Sequence, residues 1–393
     1  MKKTIHIGVV TDFPEERWES MDLVAEMTLM QIRQSPYAHI VADVITPPYR
    51  KIFQSIFTHG KWAWNLDRLI NRRIILSQAV LRSLKSKQYD VIYIVDHSYG
   101  HLVNIIKDAF PKIPVVIMCH DLDAVAVLDG PCHGTRMKKR LLRWFSRPIL
   151  DGLLNANQII TGSDTVRDSI LMKYNSRIQP LQLMTNPYGI ATEFHAKCED
   201  LQGKMAINSG PVILHVGSVI PRKRIDVLLN AVAIIAEQFE NLTLIRIGGD
   251  FTTDQKELVR SLGLVDRVRV MPRLTRVEVA DWYRRSDVVL ITSEAEGFGL
   301  PVIEALACGA SVVSSDIAVL RETGGDFVRY AAVGDSEEFA RRAVEQIEGS
   351  GKRRGQGGAD DGLRSHLERY QWTLHMERLV EVLEKEACLK AAR

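Results

Sequence analysis

Along this chain, short runs of β-branched and other apolar residues alternate with longer stretches of helical periodicity. The apolar runs predict strands over Ile5–Val10, Val91–Val95, Pro114–Met118 and Gln158–Thr161. A second series covers Val212–Val216, Leu242–Ile247, Val268–Met271, Asp287–Thr292 and Ser311–Ser314. Most are continuous rather than alternating, the pattern of strands covered on both faces. Between two of them, Ile225, Leu228, Leu229, Val232 and Ile235 mark one face of a helix. Alternation of strand and helix predicts parallel sheets in α/β domains. Ligands of such sheets sit beyond the carboxyl ends of the strands.

The strand series restarts near residue 211, after a polar, irregular stretch over 196–210. Just upstream, Asn186-Pro187-Tyr188-Gly189 is a turn suited to a hinge. The expected domains are residues 1–190 and 191–369. A glycine-rich stretch over 348–362 reads as a surface loop, followed by one helix from about His366 to Lys390. The expected architecture is α/β, with two doubly wound Rossmann-like domains facing each other across a cleft.

The length of 393 residues suits two domains, and 46% hydrophobic with 25% charged residues excludes wholesale disorder. Fifty-one Lys plus Arg against 48 Asp plus Glu is too even a balance for a nucleic-acid binder. The five cysteines (Cys119, Cys132, Cys198, Cys308, Cys388) are odd in number and widely spaced, without CxxC, so reduced thiols and no structural zinc are expected. No apolar run reaches the roughly 18 residues of a membrane-spanning helix. Met1-Lys2-Lys3-Thr4 leads into a strand rather than a signal peptide. A cytoplasmic protein is expected.

The chemistry concentrates after Asp287–Thr292, in Ser293-Glu294-Ala295-Glu296-Gly297-Phe298-Gly299-Leu300-Pro301-Val302-Ile303-Glu304 and on to Gly309. Gly297 and Gly299 make a tight turn, Pro301 suits the start of a helix, and Gly309 suits its end. Strand, glycine loop and helix N-terminus together favour an anion such as phosphate. Glu296 and Glu304 bracket the loop. Glu304, about one turn into the helix, either accepts a ribose diol or only complements the helix N-terminus. A second strand ends in Val216-Gly217-Ser218-Val219-Ile220-Pro221-Arg222-Lys223-Arg224, a glycine turn followed by cations fit for phosphate.

Glu296 to Glu304 resembles the E-x7-E motif, E-G-F-G-L-P-x-x-E, of the retaining family-4 glycosyltransferases with the GT-B fold. The resemblance extends through Gly309-Ala310-Ser311-Val312-Val313-Ser314-Ser315-Asp316, and through Val216–Arg224 and Arg246-Ile247-Gly248-Gly249-Asp250. In the first half, Val115–Leu122 resembles the family's strand ending in a sugar-facing histidine, here His120. The resemblance implies a donor nucleotide-diphosphate-sugar bound by Ser218, Arg222, Lys223, Arg273, Gly297, Phe298, Gly299, Leu300 and Glu304. His120, Glu296 and Lys223 take the catalytic places, with no metal ion and no cofactor. It also implies that a helix over about 370–393 packs back on the first domain. The chain departs from the pattern at Ser218, where relatives often carry arginine. It departs again at Asp12-Phe13-Pro14-Glu15-Glu16-Arg17-Trp18, where many carry a Gly-Gly pair.

The implied activity is transfer of a sugar, with retention, to a hydroxyl of a glycan, glycolipid or lipid-linked acceptor in surface polysaccharide or glycoconjugate assembly. The alternatives are a catalytically silent nucleotide-sugar-binding scaffold and a nucleotide-sugar epimerase of the same architecture. Two stretches mixing cations with aromatics, Arg50–Arg73 and Arg136–Arg147, suit either an anionic inner membrane face or ordinary amphipathic helices. His97, His101, His133 and His215 have no ligand spacing and read as core or surface residues.

Overall fold

The computed structural model describes all residues except 1–2, 17, 34–35, 57–60, 130–135, 196–209, 354–360 and 393. Of the stretches expected to be loops, 196–209 and 354–360, together with Arg17, Cys132, His133 and Cys198, lie outside the described residues. The rest of 348–362 is not a loop but helix, since Ser336–Arg353 runs through 348–353 and Asp361–Leu367 takes up 361–362.

The chain divides into two compact units. The first comprises Met1–Tyr188 with Thr373–Arg393, and the second Gly189–Trp372. In the first, β1 (Ile5–Val10), β2 (Ile40–Val44), β3 (Val91–Ile94), β4 (Val115–Cys119), β5 (Gln158–Thr161) and β6 (Leu183–Thr185) form one parallel sheet in the order β2-β1-β3-β4-β5-β6. In the second, β7 (Val212–Val216), β8 (Thr243–Ile247), β9 (Val268–Val270), β10 (Val288–Ile291), β11 (Val312–Ser315) and β12 (Arg329–Ala331) are again parallel, in the order β12-β11-β10-β7-β8-β9. β3, β4, β5 and β10 are buried along their length, as continuous apolar runs require. Each sheet has a core of its own. In the second, Leu228, Leu229, Val232 and Ile235 pack with Ile213, Leu244 and Leu290.

In each sheet the order reverses once, beside the strand that opens the unit. The switch falls between β1 and β3 in the first sheet and between β7 and β10 in the second. At such a point two loops diverge from neighbouring strands and leave a crevice at the carboxyl edge.

The expected single helix over 366–390 is instead two, Asp361–Leu367 and Trp372–Ala392. The cause is local. At the break the Tyr370 carbonyl accepts the Ile190 N–H at 2.9 Å, and the Tyr370 N–H donates to the Leu367 carbonyl at 2.9 Å in a tight turn rather than an α-helical bond. A Cβ on Gly189 would stand 2.2 Å from the Trp372 nitrogen, so only glycine permits this approach. The last helix belongs to the first unit. There His39 Nε2 meets Glu384 at 2.6 Å and Asn186 donates to the His375 carbonyl at 2.9 Å.

Candidate functional site

At the β7–β10 switch point two loops are joined by hydrogen bonds to the main-chain carbonyls of the first. The Glu294 N–H donates to the Arg222 carbonyl at 2.8 Å, and the Thr292 hydroxyl donates to the Lys223 carbonyl at 2.9 Å. These bonds set Arg222 and Lys223 against the loop after β10. Lys223 Nζ lies 2.5 Å from Glu296 Oε1, and Arg222 Nη1 lies 3.1 Å from Oε2 and 2.8 Å from the Ala295 carbonyl. Only 9% of the Glu296 side chain is exposed. Burial alone would raise its carboxyl, but Lys223 and Arg222 outweigh that and hold it below the usual range.

The loop is anchored behind Glu296. Phe298 is buried, with its ring 5.8 Å from that of Tyr370 in an edge-on arrangement. Gly299 has φ +100°, and a Cβ there would lie 2.7 Å from Leu320 Cδ2. From it starts the helix Leu300–Ala307, with Pro301 in the first turn and Gly309 at φ +77° beyond its end. Leu300 is buried and Gly297 half-buried.

Glu304 lies within this helix and accepts the Tyr283 hydroxyl at 3.1 Å. Tyr283 is placed by the helix Arg276–Arg285, whose start is fixed by a reciprocal cap between Thr275 and Glu278. Burial pushes the Glu304 carboxyl up to about 7, and the Tyr283 bond and the Arg276 charge offset this only in part. Ser218 and Arg273 are exposed, on the loops after β7 and β9. The site residues expected in the second half thus share one edge of one sheet, with Arg222, Lys223 and Glu296 in direct contact.

His120 belongs to the first unit, at the end of β4. Its Nε2 lies 2.7 Å from the Val95 carbonyl, so this nitrogen donates, and Nδ1 accepts the Tyr188 hydroxyl at 2.5 Å. Burial pulls the imidazole toward the neutral form that this bonding needs.

The unusual first loop sits at the other switch point, between β1 and β3. Glu16 takes Arg72 Nε at 2.7 Å and Nη2 at 2.5 Å, and Arg72 Nη1 donates to the Ser98 hydroxyl at 3.1 Å. Asp12 is buried 4.0 Å from Arg72 Nη2, and its carboxyl is pushed up by burial and by Asp96. His97, expected to have no ligand spacing, lies 3.2 Å from Asp96 and 3.6 Å from Asp121. Burial disfavours its charge, but the two carboxylates outweigh this and raise its pKa. Sequence reasoning missed this group because its members are scattered over four elements. Arg72 was legible only as one cation in a basic run.

Residues 38–193 match the model of "Glycosyltransferase Family 4", and residues 199–357 match that of "Glycosyl transferases group 1". The chain carries these two glycosyltransferase domain types in succession, and its two parallel α/β domains have the GT-B fold. Among solved structures it is similar to a sucrose-phosphate synthase from Thermosynechococcus elongatus, with TM-score 0.76 and 17% identity over 99% of this chain and 100% of that one. It is also similar to Anabaena HepE in complex with UDP-glucose, with TM-score 0.71 and 15% identity over 97% and 100%. Among curated proteins, D-inositol 3-phosphate glycosyltransferase 2 of Catenulispora acidiphila is 30% identical over 184 residues, 44% of this chain and 43% of that protein. The D-inositol 3-phosphate glycosyltransferase of Thermobispora bispora is 32% identical over 187 residues, 44% and 42%. The matched stretch therefore spans less than half the length of these curated relatives.

Proposed function

We propose that this chain is a retaining glycosyltransferase. It would move a sugar from a nucleotide-diphosphate-sugar to a hydroxyl of a glycan, glycolipid or lipid-linked acceptor. The observation that carries the reading is the contact of Lys223 and Arg222 with Glu296 at the β7–β10 switch point, inside a complete E-G-F-G-L-P-x-x-E sequence. HepE, whose solved structures include complexes with UDP and UDP-glucose, supports a donor of this class.

In this reading the diphosphate takes the place of the Glu296 carboxylate on Lys223 and Arg222. The N-terminus of the helix Leu300–Ala307 adds positive potential from the other side. Glu304 and the main chain near Arg273 hold the nucleoside, and Ser218 and the loop from Gly297 to Leu300 line the diphosphate. Released from its cations, Glu296 accepts hydroxyls of the donor sugar. The resemblance gives His120 the place of the family's sugar-facing histidine. The bond from the anomeric carbon to the β-phosphate oxygen breaks as the acceptor oxygen bonds to the same face. The acceptor proton passes to the leaving phosphate. Charge on that phosphate is met by Lys223 and Arg222, so neither a metal ion nor a cofactor is needed.

By family analogy, the product belongs to surface polysaccharide or glycoconjugate assembly. No described helix is long and apolar enough to cross a membrane. We place the protein in the cytoplasm, with its first unit touching an anionic inner membrane face.

The test is a panel of nucleotide-sugars with glycan and glycolipid acceptors, with and without EDTA, read as released nucleoside diphosphate and as the anomeric configuration of the product. One donor is expected to turn over with retention, unaffected by EDTA. An inverted product or loss of turnover in EDTA overturns the mechanism. A chain that binds nucleotide-sugar and releases no diphosphate is the scaffold instead, a reading favoured by Glu296 engaging both cations.

A further inference from the structure

Among the described residues Arg246, on β8, is the largest of the fully buried side chains. A buried guanidinium ordinarily needs a carboxylate, because desolvating its charge is costly. Among the described residues Arg246 has no ion pair. Asp250, the carboxylate that acts on it, is exposed and is held by Lys256 at 2.6 Å. The guanidinium donates instead to main-chain carbonyls. Nη2 reaches that of Gly217 at 2.6 Å and that of Gly248 at 3.4 Å, and Nη1 reaches that of Gly249. Its face lies 5.4 Å from the centre of the Phe251 ring, and Nε has no hydrogen-bond partner among the described residues. Burial lowers its pKa to about 10, which leaves it charged at neutral pH.

The three carbonyls belong to the turns that end β7 and β8. Those turns are already in contact. Gly248 has φ +115°, and a Cβ there would lie 2.2 Å from the Gly217 oxygen. In a planar trans peptide the carbonyl and the following N–H point to opposite sides. With the Gly217, Gly248 and Gly249 oxygens drawn onto Arg246, the N–H groups of Ser218, Gly249 and Asp250 point away from it. All three residues are exposed, and no hydrogen bond within the described residues uses these N–H groups. Clustered main-chain N–H groups at a strand end make an anion site. The loop that begins at Gly217 also carries Arg222 and Lys223.

We propose that Arg246 is a positioning residue of the nucleotide-sugar site. It gathers the Gly217, Gly248 and Gly249 carbonyls and so turns the N–H groups of Ser218, Gly249 and Asp250 toward the donor diphosphate. This rests on the donor reading of the β7–β10 edge. It adds a set of main-chain donors on the β8 side, and a fixed cation beneath them, to the side-chain cations of the loop.

The test compares Arg246→Met and Arg246→Lys with the wild-type full chain. Each is titrated calorimetrically with the diphosphates of uridine, guanosine, adenosine and thymidine and with the matching nucleosides, with melting temperature recorded beside affinity. For the base that binds, Arg246→Met should weaken the diphosphate about tenfold or more, the scale of lost charge-assisted hydrogen bonds. The nucleoside should be nearly unchanged, and Arg246→Lys should recover part of the loss. If Arg246→Met does not fold, Arg246→Lys alone must show a diphosphate-selective loss, since an ammonium cannot span three carbonyls. Equal weakening of diphosphate and nucleoside, or a fall in melting temperature with affinities intact, makes the role structural and overturns the proposal while leaving the donor reading standing. A wild-type chain that binds none of the four diphosphates overturns both.

Discussion

At the scale of single residues, the two glutamates of the loop sit in opposite electrostatic settings. Glu296 is held ionised by two cations, whereas Glu304 is pushed toward neutrality by burial. If Glu296 stands on Arg222 and Lys223 where phosphate goes, Glu296→Gln should free both cations. Free nucleoside diphosphate should then bind several-fold tighter, while turnover of the nucleotide-sugar falls about a hundredfold through loss of the sugar contact. Titration and initial rates on one preparation check both; weaker diphosphate binding in the variant contradicts the exchange. For Glu304, the folded protein keeps a proton up to about 7 that the unfolded chain releases near 4.5. Its contribution to stability is complete below about 4.5 and is lost as pH rises through about 7. Melting temperatures between pH 4.5 and 7.5 should therefore fall more steeply for wild type than for Glu304→Gln. Parallel curves would show that the carboxyl is not raised.

At the scale of elements, the loop–helix junction depends on backbone that only glycine adopts easily. Gly299→Ala forces a left-handed alanine and a clash with Leu320, at a cost of about 1–3 kcal/mol. It should lower both the midpoint of urea unfolding and the affinity for nucleoside diphosphate; an unchanged affinity would mean that the junction does not touch the ligand. A second element-scale feature is the pair of basic, aromatic segments in the first unit. Arg73 Nη2 donates to the Phe145 carbonyl at 2.5 Å, which brings the turn 71–75 against the helix Arg136–Asn155. Arg72 is turned inward onto Glu16, so it is not free to meet a membrane. Trp144 is 68% exposed, Leu141 54% and Trp62 50%, and Arg140, Arg143 and Arg147 are exposed beside the first two. Vesicles containing phosphatidylserine should sediment the protein at low salt, and Leu141→Ser with Trp144→Ser should reduce this; no sedimentation at low salt removes the membrane contact.

At the scale of the whole molecule, the sheets were legible wherever strands are buried on both faces. β1, β5 and β7 match their apolar runs residue for residue. β2, β6 and β12 were not legible. All three lie at sheet edges, where one face or end meets water and polar residues break the run. The candidate site divides in the same way. Glu296, Glu304, Arg222 and Lys223 could be read because each loop is contiguous in sequence and its glycines mark the turn. Tyr283, Arg246 and the Arg72–Glu16 pair could not, because they meet their partners only after folding, and a tyrosine in a helix or an arginine in a strand carries no local sign of that meeting.

The central claim is that a nucleoside diphosphate binds at the switch point of the second sheet. The most direct measurement is equilibrium titration of the full chain and of Lys223→Ala with the four nucleoside diphosphates. One of them should bind the wild-type chain, and Lys223→Ala should weaken it tenfold or more, about the contribution of a charge-assisted bond to phosphate. Binding of none, or an affinity indifferent to Lys223, would contradict the claim.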